Sequence, residues 1–338
     1  MSGLGIDVDV TTVLAGTVVF SLFLYVVMDG FDLGLAMLFP ALRREDRDVM
    51  VNTIAPVWDG NETWLVLGGG AVLAGFPKAY AILMPALYVP IIGMLLGLVF
   101  RGVAFEFRAR STGRAHWWDR AFVAGSAVAA LMQGIALGTV LQGVRVENGA
   151  YAGGWFDWLT PFTLLTGAGV VAAYLLLGAG WLILKTEGRL RDDAYRLARP
   201  LLFAVLAAIV AVSLATPFLQ GEYWRRWFTW PTMALAAPVP VLVALVAAAL
   251  LRSLAARRDR WPFLLTLALF ALCFVGLGIS MFPWIVPGAL TIWDAAAPEK
   301  SQRFFLWGVV LLIPVILVYT SYAYWVFRGK VDPDAGYH

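Results

Sequence analysis

The stretch "VTTVLAGTVVFSLFLYVVMDGFDLGLAMLF" occupies Val10–Phe39. It is long enough to cross a bilayer, which takes about 20 apolar residues at 1.5 Å of rise each. Two acids three residues apart, Asp29 and Asp32, interrupt it. The next apolar run does the same. Ala55–Gly70 reads "APVWDGNETWLVLGGG", with Asp59 and Glu62 at the same spacing. The rest of the chain explains what kind of helix these are. Of its 338 residues 61% are hydrophobic and only 14% charged, and the mean hydropathy is +0.79. A soluble domain carries charge on about a quarter of its residues. Fifteen Trp and 33 Gly also suit a membrane protein, with Trp at interfaces and Gly at helix contacts. A net charge of +3 is too small to indicate nucleic acid, and a lone Cys273 excludes a disulfide within the chain. The N-terminal "MSGLGIDVDV" has two acids and no basic residue, unlike a cleavable signal peptide, so the first run reads as a retained helix.

Nine runs are long enough to span. They cover roughly Val10–Phe39, Thr53–Gly75, Tyr80–Phe107, Asp119–Leu141, Pro161–Lys185, Arg199–Phe218, Pro231–Leu251, Pro262–Met281 and Phe304–Phe327. The expected fold is an all-α integral membrane protein forming a single polytopic domain over residues 1–338. Its helices 1–4 fall in about 10–141, helices 5–8 in about 161–281, and helix 9 in about 304–327. Of the 25 Lys and Arg, 19 lie in the segments after odd-numbered spans and 6 on the other side. The positive-inside rule then puts the N-terminus outside and the C-terminus in the cytoplasm. No internal repeat or low-complexity tract is evident.

Residues at i and i+3 share a helix face, so each of the first two spans presents a pair of acids. Asp29 lies ten residues before Phe39 and Asp59 eight after Val51, which predicts similar depths of roughly 12–15 Å from the cytoplasmic end. Consecutive antiparallel helices would let these acids meet. Arg101 and Glu106, in "FRGVAFEFR", close the third span on the same side. A charge at the bilayer centre costs about 2.5–3.5 kcal/mol on insertion scales, so the acids must face protein or water. Asp29, Asp59 and Arg101 are then either a buried ion-pair network that fixes packing or a proton path from the cytoplasm. Asp32 and Glu62 are ambiguous on this reading: each either joins those residues or is near the interface and merely solvated. Gly30/Gly34, Gly93/Gly97 and Gly134/Gly138 read as close helix contacts, and Gly68–Gly70 as close backbone approach or room for a gas or lipid path.

Only two histidines occur: His116, in a basic loop beside Trp117 and Trp118, and the final residue, His338. Neither lies inside an expected span. An axial histidine for a haem and the spacing of a His/Cys metal site are therefore missing, and no Gly-rich nucleotide motif is present. This chain is expected to bind no cofactor through its own ligands.

At this point the motifs become specific. "MDGFDLG", "NTIAPVWDGNETWLV", "FRGVAFEFR", "MFPWIVPG" and "LTIWDA" resemble those of subunit II of the cytochrome bd quinol oxidases, in the cyanide-insensitive branch. The likeness runs from the first span to the ninth. It implies two four-helix bundles plus one extra helix, without haem. It also implies a subunit I that oxidises quinol and carries haems b and d, where oxygen is reduced to water without proton pumping. A small single-helix subunit, membrane lipids and quinol would be further partners, in a bacterial inner membrane. The resemblance credits subunit II with a structural quinone or lipid and a cytoplasmic proton path. Here that path would include Asp29, Asp59 and Arg101, together with Asp32, Glu62 and Glu106. An oxygen access route would pass Trp64. Two rival readings remain at this stage: a purely structural assembly subunit, and a secondary transporter, which would show internal repeats and broken helices near the midplane.

Overall fold

The computed structural model describes residues 9–111 and 115–331. Arg114 and His338, used above for charge and ligand arguments, lie outside the described residues, as does most of the acidic N-terminal stretch. Fourteen helices are present among the described residues: α1 (Val10–Met37), α2 (Arg47–Ile54), α3 (Trp58–Gly75), α4 (Pro77–Ala86), α5 (Tyr88–Arg110), α6 (Ala115–Gln142), α7 (Pro161–Lys185), α8 (Gly188–Ala215), α9 (Gly221–Phe228), α10 (Met233–Ala236), α11 (Pro238–Ala255), α12 (Trp261–Met281), α13 (Ile292–Ala295) and α14 (Glu299–Val326). Two short hairpins, β1 (Val146–Glu147) with β2 (Ala150–Tyr151) and β3 (Trp284–Val286) with β4 (Leu290–Thr291), are the only strands there. The first turns at Asn148–Gly149, both at positive φ, as a two-residue hairpin loop requires.

Eight helices are long and apolar enough to cross a membrane. They match eight of the nine expected runs. The exception is α3, whose 18 residues include Asp59 and Glu62. Several boundaries differ for identifiable reasons. The expected second span began at Thr53, but Pro56 lacks an N–H and disfavours helix at the residue before it, so α2 stops at Ile54 and α3 starts at Trp58. The expected third span is broken at Leu87, between α4, which contains Pro85, and α5, which tolerates Pro90 in its first turn. The sixth helix starts at Gly188 rather than Arg199, because an amphipathic segment ending at Arg199 continues the helix beyond the apolar run.

α1 is the central element. It packs against α3, α6 and α7, and α6 in turn packs on α5 and α7. α7 carries α8 and α12, and α11 fits between α8 and α12. α14 touches only α1 and α3 to any extent and keeps most of its surface exposed. Its ends are tied down. At one end Ala297 N–H donates to Gly75 O, and Thr11 Oγ1 donates to Gln302 Oε1 at 3.0 Å. At the other, Lys330 Nζ donates to Ile183 O, Thr186 O and Asp259 Oδ2 at 2.8–3.0 Å, and Val331 N–H donates to Lys185 O.

Glycines set the closest crossings. A Cβ on Gly34 would lie 1.8 Å from the Tyr174 carbonyl oxygen, and one on Gly97 would lie 2.6 Å from Gly125 O. α1 and α7, like α5 and α6, therefore meet backbone to backbone. Gly134 and Gly138 meet Gly167, Thr163 and Thr166 of α7 in the same way, while Gly93 meets the flexible Met132. In the Gly68–Gly70 run only Gly68 is covered, by Leu22 and Ser21 of α1.

Candidate functional site

Those crossings bring one cation to three acids. Arg101 reaches the core because α5 crosses α6 so closely that a Cβ on Gly125 would lie 2.9 Å from its backbone N. Its Nη1 donates to Asp29 Oδ1 at 2.7 Å and to Glu62 Oε1 at 2.5 Å, and Nη2 lies 3.5 Å from Asp32 Oδ2. The guanidinium also faces the Trp58 ring at 5.6 Å. The side chains of Asp29, Asp32 and Arg101 are at most 1% exposed, whereas that of Glu62 is 30% exposed. Asp32 is held further by Asn61 Nδ2, which donates to Oδ2 at 2.8 Å. Asn61 Oδ1 accepts from the Tyr324 hydroxyl of α14 at 2.9 Å. Three fully enclosed polar atoms of this cluster have no partner among the described residues: Asp29 Oδ2, Asp32 Oδ1 and Arg101 Nε.

Charge counting shows what the arrangement can do. One guanidinium against three carboxylates leaves an excess of two negative charges. Unpaired charge in a low-dielectric interior is costly enough that a carboxyl takes up a proton instead. The cluster is neutral only when two of its three acids are protonated. Glu62 is its one partly exposed acid.

The other candidate residues are dispersed. Asp59, in the first turn of α3, is exposed and takes no part in the ion pairs of Arg101. The break at Pro56 accounts for this: the helix starts at Trp58, so Asp59 is not set deep within a continuous span, and it is Asn61 that meets α1 and Glu62 that meets Arg101 of α5. Glu106 is also exposed, with a single contact to Arg110 at 3.9 Å. Trp64 is completely buried, its indole N–H has no partner among the described residues, and its ring meets the Phe20 ring at 5.9 Å, edge to face. His116 lies in the first turn of α6 beside Trp117. At that end of α5 and α6, Asp119 is clamped between Arg47 at 2.7 Å and Arg108 at 2.6 Å.

Sequence reasoning missed the uncharged residues here: Asn61 and Tyr324, and also Tyr25, one turn of α1 before Asp29, with Gln133 and Tyr174, which are hydrogen-bonded to it in a row. Asn61 sits inside the "WDGNETW" motif at the i−1 position to Glu62, a signal available in the sequence. The tyrosines and Gln133 are isolated polar residues in long apolar runs, which is the only mark they carry there.

The family model for cytochrome bd terminal oxidase subunit II matches residues 10–327. The chain belongs to this family. Cytochrome bd-I ubiquinol oxidase subunit 2 of Escherichia coli K12 is 33% identical over 353 aligned positions, covering 92% of each chain. Cytochrome bd ubiquinol oxidase subunit 2 of Bacillus subtilis 168 is 29% identical, covering 90% of this chain and 92% of the other. Among solved structures, a chain of the bd oxidase from Geobacillus thermodenitrificans superposes with a TM-score of 0.76 over 92% of this chain and 97% of that one. At 19% identity that match speaks to the fold. Within the bd subunit II family, a multi-pass apolar scaffold with a buried Arg–acid cluster now has a setting, that of an oxygen-reducing membrane complex.

Proposed function

We propose that this chain is the haem-free subunit II of a cytochrome bd-type quinol:oxygen oxidoreductase, and that its acid cluster passes protons from the cytoplasm toward a haem-bearing subunit I. The observation that carries the proton role is the excess of three acids over one arginine, two of them enclosed and the third, Glu62, partly exposed. Haems b and d of the partner would supply the oxygen chemistry. This chain's residues would take up, hold and release the protons that chemistry consumes. Protons drawn from inside, with quinol protons released outside, would make the reaction electrogenic without pumping.

The supporting topology has nine spans, with α3 as the span that carries the acids and is covered by a partner. Two four-helix groups (α1, α3, α5, α6 and α7, α8, α11, α12) and α14 would make one membrane domain, with the N-terminus outside and the C-terminus cytoplasmic. The exposed acid Asp59 on α3 supports partner cover there, since an acid facing lipid is untenable. Asp59 and Glu106 would then lie at the ends of the path, with Arg101, Glu62, Asp29 and Asp32 between. Trp64, enclosed yet with an unpartnered N–H, would border the oxygen route. The small single-helix subunit, a structural quinone or lipid, ubiquinol as the reductant, and the bacterial inner membrane complete the reading.

A structural role for the cluster is the second reading, favoured by the short Arg101 contacts. Oxygen uptake normalised to haem, in the purified complex carrying Asp29→Asn or Asp59→Asn, separates the two. The proton reading expects full haem content and turnover lower by about an order of magnitude or more. Normal turnover in both variants would leave only packing.

A further inference from the structure

A second polar feature extends away from the acid cluster. The Tyr174 hydroxyl of α7 donates to Gln133 Oε1 of α6 at 2.6 Å. Gln133 Nε2 donates to the Tyr25 hydroxyl of α1 at 2.7 Å. Tyr25 has thereby filled an acceptor position, and its own hydrogen remains to be given. Its neighbour one helical turn on is Asp29, whose enclosed Oδ2 has no hydrogen-bond partner among the described residues. Both donors in the row thus point the same way, and the hydrogen left over, on Tyr25, lies one turn of α1 from that unpartnered oxygen. An amide in the middle fixes the direction, because a Gln presents a donor at one end and an acceptor at the other.

The helices are shaped to hold this row. Gly30 lies flat against the Tyr174 ring, where a Cβ would come within 2.6 Å of it, and the ring stacks on Phe270 of α12 at 6.1 Å. Tyr25 and Tyr174 are 3% and 1% exposed. Burying two hydroxyls and an amide in an apolar interior is costly unless they are mutually bonded, so a row of three with one free end needs an acceptor at that end.

We infer that Tyr25, Gln133 and Tyr174 are positioning residues that act through Asp29: a one-way donor row that ends on its carboxylate and sets how tightly Asp29 holds a proton. The inference rests on the proton-path reading above. The ionisable groups that face Asp29 are Asp32 and Tyr25 of its own helix, Glu62 of α3, Arg101 of α5, Tyr174 of α7 and Tyr324 of α14. From α6 the facing group is the uncharged Gln133. Of these, Tyr25 can be removed without changing any formal charge near the site.

The consequence is unusual in sign. A relay acid delivers a proton only while it holds one. Donors aimed at the carboxylate favour the empty, ionised form, so turnover falls as pH rises. Without the Tyr25 hydroxyl, Asp29 keeps its proton to higher pH. A hydrogen bond to a charged group is worth roughly one to two pH units. Tyr25→Phe should therefore extend oxygen uptake per haem to more alkaline pH by about that much, while merely loosened packing lowers turnover at every pH. Gln133→Leu, which disconnects the row from Tyr25, should shift the profile in the same direction by less.

The test measures quinol-driven oxygen uptake per haem against pH, in the purified complex, for the wild type, Tyr25→Phe, Gln133→Leu and Asp29→Asn. Low turnover in Asp29→Asn with an alkaline-extended profile in Tyr25→Phe or Gln133→Leu supports the inference. Low turnover in Asp29→Asn with profiles unshifted in both other variants overturns it and leaves the proton path standing. Full turnover in Asp29→Asn overturns both. If Tyr25→Phe yields no haem-loaded complex, Gln133→Leu decides by the same criterion.

Discussion

Replacing Arg101 with Leu removes the sole cation from a cluster of three acids, two of them fully enclosed. The guanidinium donates at 2.7 and 2.5 Å to two carboxylates and lies 3.5 Å from the third. Deleting one partner of a buried pair costs about 3–5 kcal/mol, because the survivor is left charged or must take up a proton. The variant complex should therefore lose about two to four orders of magnitude in its folding equilibrium. It should be recovered at low yield and denature at lower temperature or detergent stress than wild type. Adding Asp29→Asn and Asp32→Asn to the same chain removes the uncompensated acids and should recover most of the loss, to within about 1–2 kcal/mol, since neutral replacement of a whole network is often nearly neutral. The assay is thermal denaturation of the haem-loaded complex in one detergent, followed by the haem absorbance. Two results would refute the reasoning: an Arg101→Leu complex as stable as wild type, or a triple variant no better than the single one. Either would mean that the acids do not depend on the guanidinium for their burial.

Further expectations follow from other parts of the molecule. Gly34→Ala should cost at least about 1–3 kcal/mol by forcing α1 and α7 apart, because its Cβ would meet the Tyr174 backbone at 1.8 Å. Gly16→Ala, with nothing within 4 Å, should not destabilise, and denaturation of the two variant complexes compares them directly. The C-terminal strap should hold across the neutral range. Burial works against the Asp259 charge, but hydrogen bonds from Lys330 and Tyr195 keep its carboxyl below the usual range. A group depressed in the folded state gives stability that is present above its unfolded value of about 3.9 and is lost only as pH falls through the lower folded value. Protection of the Val331 amide from hydrogen exchange, corrected for the intrinsic rate, should thus be equal at pH 5 and pH 8 and should fall in Asp259→Asn. A drop between those two pH values in the unmodified chain would contradict the account. Finally, a reporter that is active only in the cytoplasm, fused after His338, should be active; silence there, with the fusion intact, would reverse the orientation drawn from the basic residues.

The broad class of this protein could be read from composition and periodicity. Long apolar runs have few conformations open to them in hydrocarbon, where every backbone group must be satisfied within the segment, so length and hydropathy are enough to call for helices. The same logic required the acids of "MDGFDLG" and "WDGNETW" to be covered, and placed Arg101 near them. Gly34 and Gly97 were visible as contact points because only small residues permit backbone approach. What the linear pattern could not supply was the register between helices. Spacing of i and i+3 says that Asp29 and Asp32 share a face, and likewise Asp59 and Glu62, but not which of these residues turn toward α5. That depended on where α3 begins, and a single proline at position 56 moved its start to Trp58, so that Asn61 meets α1, Glu62 meets Arg101 of α5, and Asp59 is exposed. The donor row of Tyr25, Gln133 and Tyr174 was invisible for a related reason. Its members come from three helices and lie 108 and 41 positions apart in sequence, and only the glycine-set crossings of α1, α6 and α7 bring their polar atoms within 2.7 Å. Local chemistry selects helices and says which residues must be hidden; tertiary packing decides whom they meet, because distances of an ångström between side chains are fixed by how backbones cross.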